Sequence, residues 1–210
     1  PLLKVDDEEA FFINESNYPC IFKLGNKFYD YTPFRLARNV WPAINDYNVE
    51  DFTQPIVMPR TYNFTWCMPM SAASNASDYF CNGDYFAVGS EVQNFECEPY
   101  SGADEKTDIS AVTIENEVTY QNASDVEVTE LLAGVALQYT GGNTCEATGE
   151  PMTFTINIYC NNELAYDETR YDYVTQGDEC NPSVTIVSPQ GCDVFSNSYL
   201  WYYLGQAEPY

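Results

Sequence analysis

The chain has 210 residues, 8 of them basic and 32 acidic, for a formal net charge of −24, and it contains no histidine. Charge of that sign and size repels phosphate backbones and acidic lipid surfaces, which sets nucleic acid aside as a partner. The lack of histidine closes Ser-His-Asp and Cys-His catalysis, and no run approaches the roughly 20 apolar residues of a membrane-spanning helix.

The chain opens at Pro1 without an initiator methionine or an apolar leader, the form expected of a mature chain or an excised ectodomain. Residues 1–19 form an N-terminal extension in which an acidic cluster, Asp6-Asp7-Glu8-Glu9, runs into Phe11-Phe12-Ile13. Beyond it Tyr, Phe, Thr, Val and Ile recur and Gly, Pro, Asn and Asp punctuate at short intervals, the texture of an all-β domain with little helix. Residues 101–108 are polar and acidic and read as a solvated connection between two halves of the fold. Short alternating runs at 111–114, 117–120 and 126–129 predict strands. The apolar run 131–139, ending in Thr140-Gly141-Gly142-Asn143, predicts a buried strand entering a hairpin or loop. Thr153 to Cys160 alternates strictly, with Phe154, Ile156 and Ile158 on one face and Thr155, Asn157 and Tyr159 on the other, and a further strand is predicted at 183–187. Residues 196–210 form an aromatic tail with Tyr199, Trp201, Tyr202 and Tyr203. Such a tail calls for burial, on its own domain or on a neighbour, and both ends of the chain are expected to be held.

Eight cysteines, Cys20, Cys67, Cys81, Cys97, Cys145, Cys160, Cys180 and Cys192, are spread along the chain. They lack the C-x2-C pairing and the histidines typical of zinc sites, so the reading is disulfides in an oxidising compartment, with 105 pairings open from the sequence itself. Four Asn-x-Ser/Thr sequons, at Asn14, Asn63, Asn75 and Asn122, point to the same compartment, secreted or lumenal, while Asn181-Pro182-Ser183 is excluded by its proline.

Three stretches carry a resemblance. The order Cys20-Ile-Phe-Lys-Leu-Gly-Asn-Lys-Phe-Tyr-Asp-Tyr-Thr-Pro-Phe34, then Thr61-Tyr-Asn-Phe-Thr-Trp-Cys67, then Tyr139-Thr-Gly-Gly-Asn-Thr-Cys145 resembles the mannose-6-phosphate receptor homology domain. Phe154-Thr-Ile-Asn-Ile-Tyr-Cys160 is similar to the family's strand into a cysteine, and Ser188-Pro-Gln-Gly191 before Cys192 to its closing segment. The resemblance covers residues 20–195 as one domain, in the eight-cysteine form found in repeats of the cation-independent receptor. It implies a flattened β-barrel or sandwich of two roughly orthogonal antiparallel sheets. It also implies the pairs Cys20–Cys67, Cys81–Cys97, Cys145–Cys180 and Cys160–Cys192.

The family binds mannose or phosphomannose through a glutamine, an arginine, a glutamate and a tyrosine. Counted back from Cys160, the arginine position falls on Met152; counted forward from Cys145, it falls on Glu150. Neither offers the bidentate donor of a guanidinium. The tyrosine position is Pro182, which has no hydroxyl. Gln93 stands nearest the glutamine, and Asp172 or Glu168 nearest the acid. A site without its arginine, on a chain of net charge −24, is hostile to phosphate.

With all eight cysteines bridged no thiolate nucleophile remains. A pair of carboxylates for glycoside hydrolysis has no motif here, so a glycosidase is the least supported reading. Calcium is weakly supported as a cofactor, by Asp6-Asp7-Glu8-Glu9, Asp167-Glu168 and Asp178-Glu179, without a D-x-D-x-D-G loop. The function expected is therefore that of a non-catalytic glycoprotein module for protein–protein binding or assembly, with partners among other subunits, glycoproteins or a second copy of the chain. Phe11, Phe12, Tyr199, Trp201, Tyr202 and Tyr203 are the expected contacts, docking along a neighbour's sheet edge. The alternative is a lectin for mannose-type N-linked glycans using Gln93 and the acids near Asp172.

Overall fold

The computed structural model describes residues 20–37, 41–44, 60–72, 83–91, 97–102, 108–164, 170–172 and 180–194. The acidic clusters and aromatic segments of both termini, with Phe11, Phe12, Tyr199, Trp201, Tyr202 and Tyr203, lie outside those residues. So do Asn14, Asn75, Cys81, Gln93, Glu168 and Asp178-Glu179.

Among the described residues eleven strands and one short α-helix follow in chain order: β1 Ile21–Leu24, β2 Lys27–Asp30, α1 Thr32–Ala37, β3 Trp41–Ile44, β4 Arg60–Phe64, β5 Ala87–Glu91, β6 Cys97–Pro99, β7 Ile109–Gln121, β8 Glu127–Tyr139, β9 Phe154–Cys160, β10 Arg170–Asp172 and β11 Ser183–Ser188. They form a β1–β2 hairpin, a four-stranded sheet in the order β3-β4-β5-β6 and a five-stranded sheet in the order β10-β11-β9-β8-β7. The fold is all-β and sandwich-like. Two features depart from the expected pair of antiparallel sheets. Among the described residues no ladder closes the sheets into a barrel, and β9 pairs with β11 in parallel, Ser183 opposite Thr155 through Ser188 opposite Cys160.

Local chemistry explains the breaks between strands. The β1–β2 turn places Gly25 at φ 59°, a left-handed value that glycine adopts without a Cβ penalty. Pro42 sits in β3, the outer strand of its sheet, where a missing backbone donor costs least. The described chain ends are tied in: Val194 N–H donates to the Phe28 carbonyl at 2.7 Å, and Phe28 N–H to Asp193 Oδ1 at 3.0 Å.

The strict alternation of β9 is realised, with Phe154, Ile156 and Ile158 fully buried between the sheets. They meet Val135, Leu137 and Tyr139 of β8, Val184 and Ile186 of β11, and Tyr62 and Phe64 from β4 of the opposite sheet. At one end an aromatic cluster closes the core, Phe34 stacking on Trp66 with ring centres 4.5 Å apart and Tyr31 tilted against Trp66 at 5.7 Å. Disulfides Cys20–Cys67, Cys145–Cys180 and Cys160–Cys192 are formed; Cys97 is also bridged, to a partner outside the described residues.

The predicted short strands around 111–129 are two long ones. β7 and β8 pair without interruption from Ile109 opposite Tyr139 to Gln121 opposite Glu127. β9 covers β8 only from Gly134 to Tyr139, so residues 115–121 and 127–133 form a two-stranded arm beyond the sheet. Period two accounts for the arm's chemistry. Its odd-numbered face, Glu115, Glu117, Thr119, Gln121, Glu127, Thr129 and Leu131, is exposed; Leu131, expected to be buried, is 64% exposed. Its even-numbered face instead builds a second cluster on the outer side of the sheet, where Val118 and Tyr120 pack with Tyr159, Leu164 and Val187.

Candidate functional site

Of the positions that the family resemblance assigns to sugar recognition, Glu150, Met152, Asp172 and Pro182 are described and lie near the rim at the starts of β9 and β11, whereas Gln93 and Glu168 lie outside the described residues. Of the hairpin or loop that the glycine pair suggested, residues 141–144 form the loop. They run as an extended seam, with Gly141 bridged to Ser101 and Thr144 to Pro151. Asn143 N–H donates to the Pro99 carbonyl at 2.9 Å, and Met152 N–H to the Asn143 carbonyl at 2.7 Å. The edge of the four-stranded sheet is thereby stitched to the start of β9. Gly142 is required at the centre: a Cβ there would meet backbone atoms of Tyr100, Met152 and Pro99 at 2.6, 2.7 and 2.8 Å.

Because β9 and β11 are parallel, their starts lie side by side at this rim. Thr153 N–H donates to the Cys180 carbonyl and Thr155 N–H to the Pro182 carbonyl, both at 3.0 Å. Thr153 Oγ1 donates to Asn181 Oδ1 at 2.8 Å. The C-terminal residue of β10, Asp172, lies opposite Thr185 of β11, two residues into that strand. The Cys145–Cys180 disulfide fixes the hairpin 145–150 beside the same segment. There the Cys145 N–H donates to the Glu150 carbonyl at 2.8 Å, and Gly149 takes φ 76°.

The arginine and tyrosine counterparts, Met152 and Pro182, are both buried, Met152 at 4% exposure. Glu150, the other counterpart of the arginine, points to solvent together with Glu146 and Thr148. The rim therefore offers solvent carboxylates, hydroxyls and the Asn181 carboxamide, and none of its described side chains is a cation. Such a surface accepts hydrogen bonds from neutral hydroxyls and repels phosphate. Among the described residues no group of three or more His, Cys, Asp or Glu side chains is placed to hold a metal ion.

The two sequons with described side chains differ. Asn63 is 8% exposed in β4, and Thr65 is fully buried, its hydroxyl donating to the Met68 carbonyl. Asn122 starts the β7–β8 turn, where Ala123 and Ser124 are exposed. Its Oδ1 accepts from the N–H groups of Ser124, at 2.9 Å, and Val126, at 3.1 Å. Nothing in the sequence pattern separated these two asparagines. The strand alternation that makes Tyr62 and Phe64 core residues leaves the opposite face of β4 for Asn63, and burial of that face comes from long-range packing.

The arm also carries a polar network that the sequence did not suggest. Tyr120 donates to Glu130 Oε2 at 2.9 Å and accepts from Asn161 Nδ2, while Asn116 Nδ2 donates to the Tyr159 hydroxyl at 2.9 Å. Burial pushes the Tyr120 phenol up to about 12, and the Glu130 and Glu163 carboxylates add to the shift against the opposing Asn161 bond.

No family model and no curated protein sequence matches the chain. Among solved structures, the MRH domain of Yos9 complexed with alpha3,alpha6-Man5 is similar over 62% of this chain and 71% of that one, at 11% identity and a TM-score of 0.34. No helix of the described residues is long and apolar enough to cross a membrane.

Proposed function

We propose that the chain is a non-catalytic binding module of the secretory pathway that contacts other proteins or glycoproteins, and that mannose-6-phosphate recognition has been lost from its rim. One observation carries this reading. The positions that the resemblance gives to a sugar-binding arginine and tyrosine hold Met152 and Pro182, and both side chains are buried. A guanidinium and a phenol are the groups that would fork onto vicinal hydroxyls or a phosphate, and neither a thioether nor a pyrrolidine can replace them. Disulfides joining residues far apart in the chain support the oxidising compartment, because such bonds persist outside the reducing cytosol. Contact through the aromatic segments around Phe11 and Trp201 belongs to the same reading.

A glycan array at neutral pH that includes oligomannose and phosphorylated oligomannose is expected to give no signal. Deletion of residues 199–210 is expected to abolish association measured by light scattering, and an unchanged assembly would remove the tail from this reading. A second reading, a lectin for neutral mannose-type glycans, is favoured by the hydrogen-bonded Thr153–Asn181 pair on the rim near the end of β10. Mannose-type hits that disappear in Asn181→Ala or Gln93→Ala would establish it over the first.

A further inference from the structure

The arm formed by β7 and β8 ends a sheet in a long strand edge. In an antiparallel ladder alternate residues turn their N–H and C=O groups toward the partner, and the others turn theirs away. The Asn122 N–H donates to Val126 across the turn at 2.9 Å, and the Thr140 N–H to Asp108 at the other end, so even-numbered residues of β7 face β8. The outward set on the arm is Glu115, Glu117, Thr119 and Gln121. Among the described residues no strand pairs with that edge.

Open edges of this length invite pairing with another chain unless charge, proline, a bulge or a covering group prevents it. Glu115 and Glu117 supply charge over the inner half of the arm. The outer half has only Thr119 and Gln121, with Val126, 55% exposed, in the turn beyond it; Leu131, 64% exposed, lies on β8 opposite Glu117. The one sequon with an exposed tripeptide end among the described residues, Asn122-Ala123-Ser124, lies immediately beyond Gln121.

We propose that Asn122 carries an N-linked glycan and that this glycan closes the outer edge of β7 to strand pairing with a second copy of the chain. The turn accepts the modification. The Ser124 and Val126 N–H groups donate to Asn122 Oδ1, so an N-acetylglucosamine carried on Nδ2 leaves these two bonds intact. In the attachment, the carboxamide nitrogen bonds to the anomeric carbon of a lipid-diphosphate-linked oligosaccharide, the anomeric C–O bond breaks, the lipid diphosphate departs with that oxygen, and the nitrogen loses one proton. The buried Asn63 of the folded chain has no comparable outlet.

Secretion of the whole chain from a eukaryotic cell, followed by peptide mapping, is expected to find the sugar mass at Asn122 and none at Asn63. Ser124→Ala is the cleanest variant, because it removes the acceptor hydroxyl yet keeps the Asn122 side chain and the residue-124 N–H that donates to it. Sedimentation velocity should show its association constant raised by about tenfold or more over the wild type, as an uncovered edge predicts. Adding Thr119→Pro to Ser124→Ala, which deletes one outward N–H and no backbone bond to β8, though it removes the exposed Thr119–Thr129 hydroxyl contact at 2.8 Å, should return association to the wild-type level. A secreted wild-type chain bare at Asn122, or a Ser124→Ala chain that associates no more than wild type, overturns the proposal. Rescue by Thr119→Pro separates edge pairing from association through the terminal segments, which that substitution leaves untouched.

Discussion

The hydroxyl of Tyr139, at the end of β8, donates to the carbonyl of Thr65 at 2.8 Å, joining residues 74 positions apart and two different sheets. The Cys67 N–H reaches the same hydroxyl at 3.5 Å, at a residue held in the left-handed region with φ 53°. The phenol thus anchors the turn that carries the Cys20–Cys67 bridge. Tyr139→Phe keeps the ring and its packing on Phe86 but strips a buried carbonyl of its donor. A loss of about 1–3 kcal/mol in urea unfolding is expected, with the midpoint lowered and the slope unchanged.

Stability should hold through neutral pH and fall in alkali. Burial raises the phenols of Tyr31 and Tyr139 well above their ordinary range, and Tyr120 is pushed up to about 12. The Tyr31 hydroxyl is buried without a hydrogen-bond partner among the described residues, so its anion would have nothing to stabilise it. A folded value above the unfolded one means that the native state keeps the proton longer. The contribution is therefore fully present below the unfolded value of about 10 and is lost as pH rises through the folded values. Absorbance at 295 nm should show exposed tyrosines ionising first and the buried ones only with the unfolding transition. A single smooth titration of all 18 tyrosines near the model-peptide range would contradict the burial of these three.

Much of the core was legible because β9 obeys period two without a break, and Phe154, Ile156 and Ile158 fall where alternation puts them. Tyr159, on the face read as outward, is nevertheless 5% exposed, since the β7–β8 arm brings Val118 and Tyr120 onto that side. The arm itself was broken into short runs by Glu115-Asn116. A polar centre signals a loop when pairing is unknown, yet a two-stranded ribbon tolerates it on its solvent face. The parallel pairing of β9 and β11 leaves no mark on either strand, because it is set by the path of the chain between them. Counting from cysteines reached Met152 and Pro182, but that both side chains are buried was not legible from the count. Gly141-Gly142 was read as a hairpin or loop and is a loop; that it is a seam was not legible, because its partners, Pro99 and Met152, are remote in sequence or across the next hairpin.

That seam provides a sharp test of the architecture. Gly142→Ala places a Cβ within 2.8 Å of backbone atoms on both sides, and backbone cannot rotate aside as a side-chain end can. A cost of about 3 kcal/mol is expected from overpacking, with hydrogen exchange at Asn143 and Met152 accelerated more than in β9. Gly149→Ala, at φ 76° in the exposed hairpin with nothing within 4 Å of its added Cβ, should cost only about 1–2 kcal/mol, from backbone strain. Equal losses at the two glycines would mean that the two sheets are not joined through residues 141–144.

Met152 stands at the position that the resemblance gives to a sugar-binding arginine. Its side chain is 4% exposed, and its N–H and carbonyl belong to the seam, so the residue is fixed from both the backbone and the core. Met152→Leu keeps volume and hydrophobicity and should cost less than about 1.5 kcal/mol. Met152→Arg puts a cation among Phe154's neighbours, and unless its head reaches the carboxylates at 146 and 150 it should cost about 2–4 kcal/mol. The two outcomes separate by salt. A guanidinium that has escaped to the acidic rim gives a small loss that grows with ionic strength, because exposed ion pairs are screened, whereas a trapped one gives a large loss insensitive to salt. The trapped result is expected from the burial of Met152, and in neither case should oligomannose binding appear, because Pro182 still supplies no hydroxyl at the second position.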